Sequence, residues 1–451
     1  MLDLAPHLAA PAPLAYAPAS LPELESPLPP QPKSLRETGL EQQLVVQLIA
    51  KALYLGGRTH LPVLTTRLRL SINVLREVLD FMVAEQVAEV SWRGESDIDV
   101  QYQLTASGKQ RAAAWLERSP YAGPAPVTLE AYRALVERQA EQAAPLQADE
   151  LAAEFADELL EPAVQDLLGA ALYSGRSILL YGPPGSGKST LARKLGGLLQ
   201  GLVAVPYAVV VGQEIIQLHD AALHQPPTPR QALQLRAALE RRSSDIRWTL
   251  CQRPVVALGA ELDAAMLDLQ PDAAGGCYQA PPQMKANNGI FIVDDLGRQR
   301  MAAGDLLNRL AAPQAHGRDL LSLQGGYKFT VPFRLQLVLA TSLAPQTLFD
   351  ASALRRLGYK IQVGALGEAA YRTLFRLQCR AAGVVFDDAA LRHLIEELHA
   401  GSGQPLLASY PRELLGRICD FAGFAGEPPR LTVAALEQAW ISMFAGSERL
   451  A

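Results

Sequence analysis

Residues 182–190, GPPGSGKST, have the types and the spacing of a loop that binds nucleotide phosphates. Three glycines let the backbone curl until its N–H groups point at phosphate oxygens, and the following helix adds its positive N-terminal dipole. Lys188 supplies a mobile positive charge for the β- and γ-phosphates, and the hydroxyl of Ser189 is placed to bind Mg²⁺. The residues expected at the phosphates are Gly182, Pro183, Pro184, Gly185, Ser186, Gly187, Lys188, Ser189 and Thr190.

A phosphate loop needs a second acidic site for the metal, and residues 289–295, GIFIVDD, provide it. Four apolar residues predict a buried strand, and two carboxylates follow it. Asp294 is expected to hold the Mg²⁺ shell, usually through water, and Asp295 to orient or deprotonate the attacking water. The two motifs together predict a site for ATP and Mg²⁺.

The elements that must position these motifs lie in the second half of the chain. A short apolar strand, residues 177–181, precedes the loop, and a helical run begins at Leu191. From about Leu151, strand-like and helical runs alternate, which is typical of an α/β domain with a parallel sheet. Residues 195–213 form the longest uncharged run, but Gln200, Pro206 and glycines such as Gly196, Gly197 and Gly201 interrupt it. A helix followed by a buried strand explains this run better than a membrane span.

The first half of the chain predicts a separate module. Helical spacing over residues 44–53, 62–68 and 72–82 is followed by two alternating strands, residues 87–92 and 99–104. Three helices and a hairpin are the order of a winged helix. Residues 104–112, LTASGKQRA, resemble the end of the wing and the start of the closing helix in bacterial winged-helix domains.

Charge bears on whether this module would bind DNA or a protein. Residues 38–119 contain nine Lys/Arg and nine Asp/Glu, and the third helix carries Arg76 but also Glu77, Asp80 and Glu85. A surface that faces phosphates should be basic. The whole chain, with a net charge of −5, has no basic field either. Protein docking is therefore favoured over DNA binding, which stays open.

Beyond the two nucleotide motifs, the order of motifs resembles that of the AAA+ ATPases. Residues 335–342, LQLVLATS, resemble the strand that carries the sensor-1 residue, with Thr341 and Ser342 as candidates. Residues 353–361, ALRRLGYKI, resemble the helix end with the arginine finger, which would be Arg355 or Arg356. Residues 409–415, SYPRELL, resemble the sensor-2 motif of the helical lid, in which Arg412 would reach the γ-phosphate.

The sequence departs from the family pattern at two positions. The second acid, Asp295, is one methylene shorter than the usual Glu, and Ser342 offers one hydroxyl where Asn is usual. Both changes predict slow hydrolysis and leave nucleotide binding unaffected.

A glycine-tipped hairpin at residues 321–333, just before the sensor-1 strand, resembles the insertion of the pre-sensor-1 hairpin branch, which includes MoxR-like chaperones. Residues 205–215 and 287–300 resemble a bacterial group of winged-helix AAA+ ATPases that we associate with predicted chaperone activity near tight-adherence pilus genes. Tyr278 and Tyr327 are candidate aromatic residues for gripping a substrate at a pore.

The resemblance implies an arginine finger that acts in trans, and hence a homo-oligomer, expected to be a hexameric ring that remodels a protein client. A DNA-linked AAA+ regulator is the alternative, and a small-molecule P-loop kinase is a third. His219 and His224 lack a zinc-binding pattern, so Mg²⁺ is the only metal expected. The four cysteines, Cys251, Cys277, Cys379 and Cys419, form no disulfide framework or metal pair, which favours the cytoplasm.

The sequence thus predicts an α/β P-loop core of the AAA+ type with a helical lid, preceded by an α+β winged helix. The expected boundaries are a Pro-rich tail at 1–35, the winged helix at 36–119, a linker and connecting helix at 120–150, the core at 151–365 and the lid at 366–451.

Overall fold

A computed structural model describes residues 28–96, 98–143, 146–155, 160–233 and 243–444. Most of the predicted tail, residues 1–27, lies outside the described residues. Within them, no helix has the length and the apolar character to cross a membrane.

The strands are β1 (Thr59–His60), β2 (Ala88–Arg93), β3 (Val100–Leu104), β4 (Val127–Thr128), β5 (Ile178–Tyr181), β6 (Leu202–Pro206), β7 (Ala208–Val211), β8 (Glu214–Gln217), β9 (Trp248–Gln252), β10 (Val255–Leu258), β11 (Gln270–Asp272), β12 (Cys277–Gln279), β13 (Ile290–Val293), β14 (Arg318–Ser322), β15 (Lys328–Pro332), β16 (Gln336–Thr341) and β17 (Tyr359–Gln362).

The helices bounded within the described residues are α1 (Leu35–Thr38), α2 (Gln42–Gly56), α3 (Leu61–Leu68), α4 (Ile72–Ala84), α5 (Ala106–Arg118), α6 (Leu129–Glu141), α7 (Ala148–Glu154), α8 (Pro162–Ser174), α9 (Lys188–Gly197), α10 (Pro282–Lys285), α11 (Ala303–His316), α12 (Pro345–Leu348), α13 (Ala351–Arg356), α14 (Glu368–Ala382), α15 (Asp388–His393), α16 (Tyr410–Ala425) and α17 (Val433–Met443). A 3₁₀ turn, Ala265–Leu267, precedes β11, and a π-helical turn, Leu394–His399, extends α15 into Ala400–Ser402.

The central sheet is parallel throughout, in the order β10-β13-β16-β5-β17. Every residue of β13 and β16 is buried, because helices cover both faces, and this explains their unbroken apolar sequences. The phosphate loop joins β5 to α9, and the helical region α14–α17 follows the sheet along the chain. The predicted α/β P-loop fold with a helical C-terminal region is therefore confirmed.

A second five-stranded sheet, β11-β12-β8-β7-β4, lies beside the first, together with the antiparallel ribbon β6–β9 and the hairpin β14–β15. The sequence did not predict this body. The uncharged run after α9 supplies β6 and β7, which join the ribbon and the second sheet instead of the parallel sheet. Helix α6, expected as a connector, packs into the core of this body through Tyr132, Leu135 and Val136.

The N-terminal module has the elements that the sequence predicted, including the N-cap Ser71, whose side chain accepts a hydrogen bond from the N–H of Val74. Helices α2–α5 pack on the antiparallel sheet β1-β3-β2. Ala208, Ile215 and Cys277 of the second sheet belong to the same apolar cluster as the module. The module is therefore docked on the second sheet.

A buried ion pair stabilises the contact between the N-terminal module and the rest of the chain. Arg247 and Asp245 are each 4% exposed, and the guanidinium contacts the carboxylate with its Nη2 at 2.8 Å. The Nη1 of Arg247 donates to the carbonyls of Thr38 at 3.2 Å and Pro126 at 3.1 Å. One side chain, just before β9 of the ribbon, is thus bonded to Thr38 near the start of the N-terminal module and to Pro126 in the segment that follows it.

Candidate functional site

The phosphate loop has the backbone that its glycines require. Gly185 and Gly187 have φ of 82° and 94°, in the left-handed region. A side chain at Gly182 would place its Cβ 2.1 Å from the carbonyl oxygen of Val363, just beyond β17. Helix α9 begins at Lys188, with Gly187 as its N-cap. The positive end of α9 therefore faces the loop, as an anion site requires.

The Lys188 ammonium lies inside the curve of this loop. It donates to the carbonyl oxygens of Gly182 at 3.0 Å and Pro183 at 2.7 Å, and to the Ser186 hydroxyl at 3.3 Å. Burial lowers the pKa of Lys188, and the charges of Asp295 and Asp294 act in the opposite direction. The ammonium thus lies inside the loop, near enough to Asp294 and Asp295 for their charges to act on it.

The two predicted metal ligands meet in space although they are far apart in sequence. Strands β13 and β5 flank β16, so their carboxyl ends lie at one edge of the sheet. There the Ser189 hydroxyl donates to Oδ1 of Asp294 at 2.9 Å. A hydroxyl and a carboxylate are hard oxygen ligands of the kind that Mg²⁺ uses, with waters completing its shell. The donor set therefore fits Mg²⁺ with nucleotide phosphates.

Asp295 follows at an exposed turn with φ of 50°, and its N–H donates to Oδ1 of Asp294 at 3.0 Å. Gln299 holds this turn: its amide nitrogen donates to the carbonyls of Asp294 at 2.8 Å and Asp295 at 3.2 Å. Arg193 of α9 lies 3.8 Å from Asp294. Sequence reasoning missed both: Gln299 acts on backbone carbonyls of the turn, and Arg193 reaches Asp294 only because the fold brings α9 beside β13.

The sensor-1 candidates differ in what their hydroxyls do. Thr341 is fully buried, donates to the carbonyl of Leu296 at 2.7 Å and accepts from the N–H of Leu343 at 3.1 Å. Its hydroxyl is thus engaged by the backbone and not directed at the nucleotide. Ser342 is half-buried just beyond β16, between the phosphate loop and the metal acids. Ser342 as a nucleotide contact stays a prediction.

The lid meets the phosphate loop directly. The N–H of Ser409 donates to the carbonyl of Gly185 at 2.9 Å, and Arg412 lies exposed in the first turn of α16. Sequence reasoning identified Arg412 but missed the Ser409 contact, which is made by backbone atoms.

The two candidate finger arginines lie away from their own phosphate loop. They end α13, and β17 begins three residues later at Tyr359, which pairs with Ile178 at the amino end of β5. The loop leaves the opposite end of β5. Arg356 donates to the Asn308 side chain at 3.0 Å, whereas Arg355 is exposed without a hydrogen bond or ion pair to the described residues.

The remaining candidate residues, two tyrosines and a histidine, differ in how far their side chains are exposed. Tyr278 is 8% exposed and accepts from the N–H of Gln324, so it packs inside the second sheet and is not free to grip a substrate. Tyr327 is 61% exposed at the hairpin tip. His224 is buried and bonded to backbone atoms of Asp220 and Lys285, and the described residues contain no group of three or more His, Cys, Asp or Glu side chains that could hold a metal ion.

Comparison with known proteins gives limited similarity. A family model described as a domain of unknown function, DUF8689, matches residues 367–442, which include most of the lid. No curated protein matches the sequence significantly. The chain is similar to NtrX from Brucella abortus in complex with ATP, with 14% identity and a TM-score of 0.39, over 62% of this chain and 55% of that one.

It is also similar to the Thermotoga maritima RuvB Holliday junction branch migration motor, with 16% identity and a TM-score of 0.34, over 62% of this chain and 69% of that one. The chain thus spans just over half the length of NtrX. These likenesses concern the fold, for which the parallel sheet and its phosphate loop are the direct observations.

Proposed function

We propose that this protein is an AAA+ ATPase that binds and hydrolyses Mg²⁺-ATP. The observation that carries the proposal is the contact between the Ser189 hydroxyl and the Asp294 carboxylate, 2.9 Å apart beside the phosphate loop. Bound Mg²⁺ would neutralise phosphate charge there. Lys188 would exchange its carbonyl partners for the β- and γ-phosphates, while the backbone N–H groups of the loop hold the remaining phosphate oxygens.

Four further side chains would complete the site in this proposal. Asp295, exposed and beside the metal ligand, would orient or deprotonate water, and Gln299 would keep its turn in place. Ser342 and Arg412 would contact the γ-phosphate from the sheet and from the lid. The shorter reach of Asp295 favours slow turnover.

The position of Arg355 supports a ring with shared sites. Its exposed side chain lies at the end of β5 opposite the phosphate loop, so a neighbouring copy would have to receive it. A head-to-tail contact of this kind closes into a ring if the rotation permits, and we propose a hexamer. Arg356, bonded to Asn308, is the less suitable finger.

Replacing Arg355 by Ala is expected to lower ATP turnover about a hundredfold or more, because an arginine finger stabilises charge in the transition state. Wild-type activity per subunit should rise with protein concentration as rings form. A coupled phosphate-release assay over a range of protein concentrations measures both effects. Arg318→Ala, which removes an exposed arginine on β14, is the matched control. Activity that is independent of concentration and unchanged by Arg355→Ala would contradict the shared site.

We further propose that ATP hydrolysis remodels a protein assembly, as in the MoxR-like branch, with the N-terminal module as a winged-helix docking unit in the cytoplasm. The supporting observation is that the segment from Pro32 to the first residue of α1 lies across the first half of α4, the helix that would read DNA. The Ser71 hydroxyl donates to the Pro32 carbonyl at 2.9 Å, and Glu77 accepts from the Leu35 N–H at 2.8 Å. DNA could reach α4 only if this segment moved away. Association with tight-adherence pilus genes belongs to the same proposal.

The alternative function is that of a DNA-binding regulator, and the winged-helix order of elements in the N-terminal module supports it. A DNA-binding assay tests it directly. We expect the protein to bind a fluorescent 30-base-pair duplex with a Kd of about 1 µM or weaker at physiological salt, as for non-specific contact. Arg76→Ala should leave this affinity unchanged, and Arg111→Ala on α5 is the control. Tight binding that weakens steeply between 50 and 200 mM salt and disappears in Arg76→Ala would favour the DNA regulator.

A further inference from the structure

One loop of the lid, residues 403–409, forms the contact with the phosphate loop. Besides the hydrogen bond from the Ser409 N–H to Gly185, a Cβ on Gly185 would lie 2.6 Å from the Ser409 Oγ. A Cβ on Gly187 would lie 3.7 Å from that of Ala408. The N–H of Leu366, where the chain enters the lid, donates to the carbonyl of Leu406 at 2.8 Å. The end of the lid loop is therefore bonded to the phosphate loop, and its middle is bonded to the segment where the chain enters the lid.

The beginning of the lid loop is fixed by a buried histidine. His399 is 3% exposed, and its Nδ1 lies 3.0 Å from the Gln404 carbonyl oxygen. A carbonyl only accepts, so Nδ1 carries the proton, and Nε2 of the neutral ring accepts from the Tyr371 hydroxyl at 3.1 Å. Burial lowers the pKa of His399, which keeps the ring neutral. The hydrogen bonds thus fix both the tautomer and the orientation of the ring.

Two other features hold the ring in this orientation. Trp440 packs edge-on against it, with ring centroids 4.8 Å apart, and Tyr410 stacks at 5.6 Å. The Tyr410 hydroxyl also donates to the Gln404 side chain at 3.3 Å. The π-helical turn Leu394–His399 changes the helical register ahead of His399, which ends that turn inside the lid core. Such turns interrupt α-helical hydrogen bonding and are frequent at functional sites.

We propose that His399 is a positioning residue for the nucleotide site, which holds the lid loop, and with it Ser409 and Arg412, over the bound phosphates. The hydrogen bond from Nδ1 to Gln404 fixes one end of a seven-residue loop whose other end contacts Gly185. When that bond is lost, the loop has more conformations and must be ordered each time ATP binds. The role rests on the proposed ATP site but acts without touching the nucleotide.

The test compares two substitutions of the same residue in the full chain. His399→Leu removes the donor to Gln404, whereas His399→Asn keeps an N–H near the position of Nδ1. We expect His399→Leu to raise the Kd for ATP about tenfold, equivalent to about 1.4 kcal/mol. The turnover number at saturating ATP should change less than threefold, and His399→Asn should restore most of the affinity. Leu436→Ala, a truncation in the same lid core, controls for general destabilisation.

Hydrogen exchange separates this inference from the ATPase proposal. Without nucleotide, the amides of residues 404–409 should exchange at least tenfold faster in His399→Leu than in wild type and in Leu436→Ala. If wild type fails to bind ATP, the proposed function fails, while the exchange comparison still decides the role of His399. Unchanged exchange in His399→Leu, or an equal effect of Leu436→Ala, would overturn the positioning role.

Discussion

Lys188→Ala is expected to abolish ATP binding, with the Kd rising at least a hundredfold. The ammonium lies inside the phosphate loop, bonded to two of its carbonyls and close to both acids. Its removal leaves the β- and γ-phosphates without their mobile cation in a half-buried site, where a lost charge-assisted contact costs about 3 kcal/mol or more. Fluorescence titration with a labelled ATP analogue measures the change.

The control for Lys188→Ala is Lys328→Ala, which removes an exposed lysine of β15 outside the site. It should bind ATP like wild type. Circular dichroism should show that both variants keep the native helix content, since the phosphate loop contributes little to the core. If Lys188→Ala bound ATP as tightly as wild type, the loop would not be a nucleotide site, and the proposed function would fail at its first step.

Arg247→Leu is expected to lower the free energy of unfolding by several kcal/mol. It leaves the Asp245 carboxylate buried without its cation and removes the bonds to Thr38 and Pro126. Breaking a buried ion pair by removing one partner costs about 3–5 kcal/mol. The N-terminal module should therefore loosen from the second sheet, which urea unfolding, followed by tryptophan fluorescence, would detect as an early transition.

A double substitution distinguishes the buried charge from lost packing. Asp245→Leu together with Arg247→Leu removes both charges, so it should recover part of the stability lost in the single variant. Arg118→Leu, at the end of α5, serves as a surface control and should change stability by less than about 0.5 kcal/mol. An unfolding midpoint of Arg247→Leu equal to that of wild type would show that the module is held by apolar contacts alone.

The sequence predicted the phosphate loop and its acids well because their chemistry imposes residue types at fixed local spacing. It also assigned Ser189 and Asp294 to one Mg²⁺ site, and in the structure the two side chains are hydrogen-bonded to each other. The contacts of Gln299 and Ser409 could not be predicted in this way. Gln299 bonds to backbone carbonyls, and Ser409 donates from its own backbone, so neither requires a recognisable pattern.

The second sheet was missed for a related reason. Its strands are two to four residues long and come from three separate parts of the chain, so none is long enough to show a period. The structure contains the predicted hairpin, as β14 and β15, but the sequence did not predict that the hairpin packs into the core beside the second sheet. Leu321, Phe329 and Val331 are buried in the core that contains α6, because alternate residues of a hairpin face one side.

The packing of the hairpin against α6 has a consequence for how movements pass through the molecule. Only residues 333–335 separate β15 from β16, the strand that ends beside Ser342 at the phosphates. Phe333 and Leu335 are buried, and Arg334 contacts Glu137 of α6 at 2.6 Å. The connection is therefore short, and each of its three residues is held by packing or by an ion pair. If β16 moved along its axis, the movement would be transmitted to the hairpin β14–β15, to the second sheet and to the N-terminal module docked on that sheet. In the proposed function, this connection would transmit such a movement between the nucleotide site and the N-terminal module.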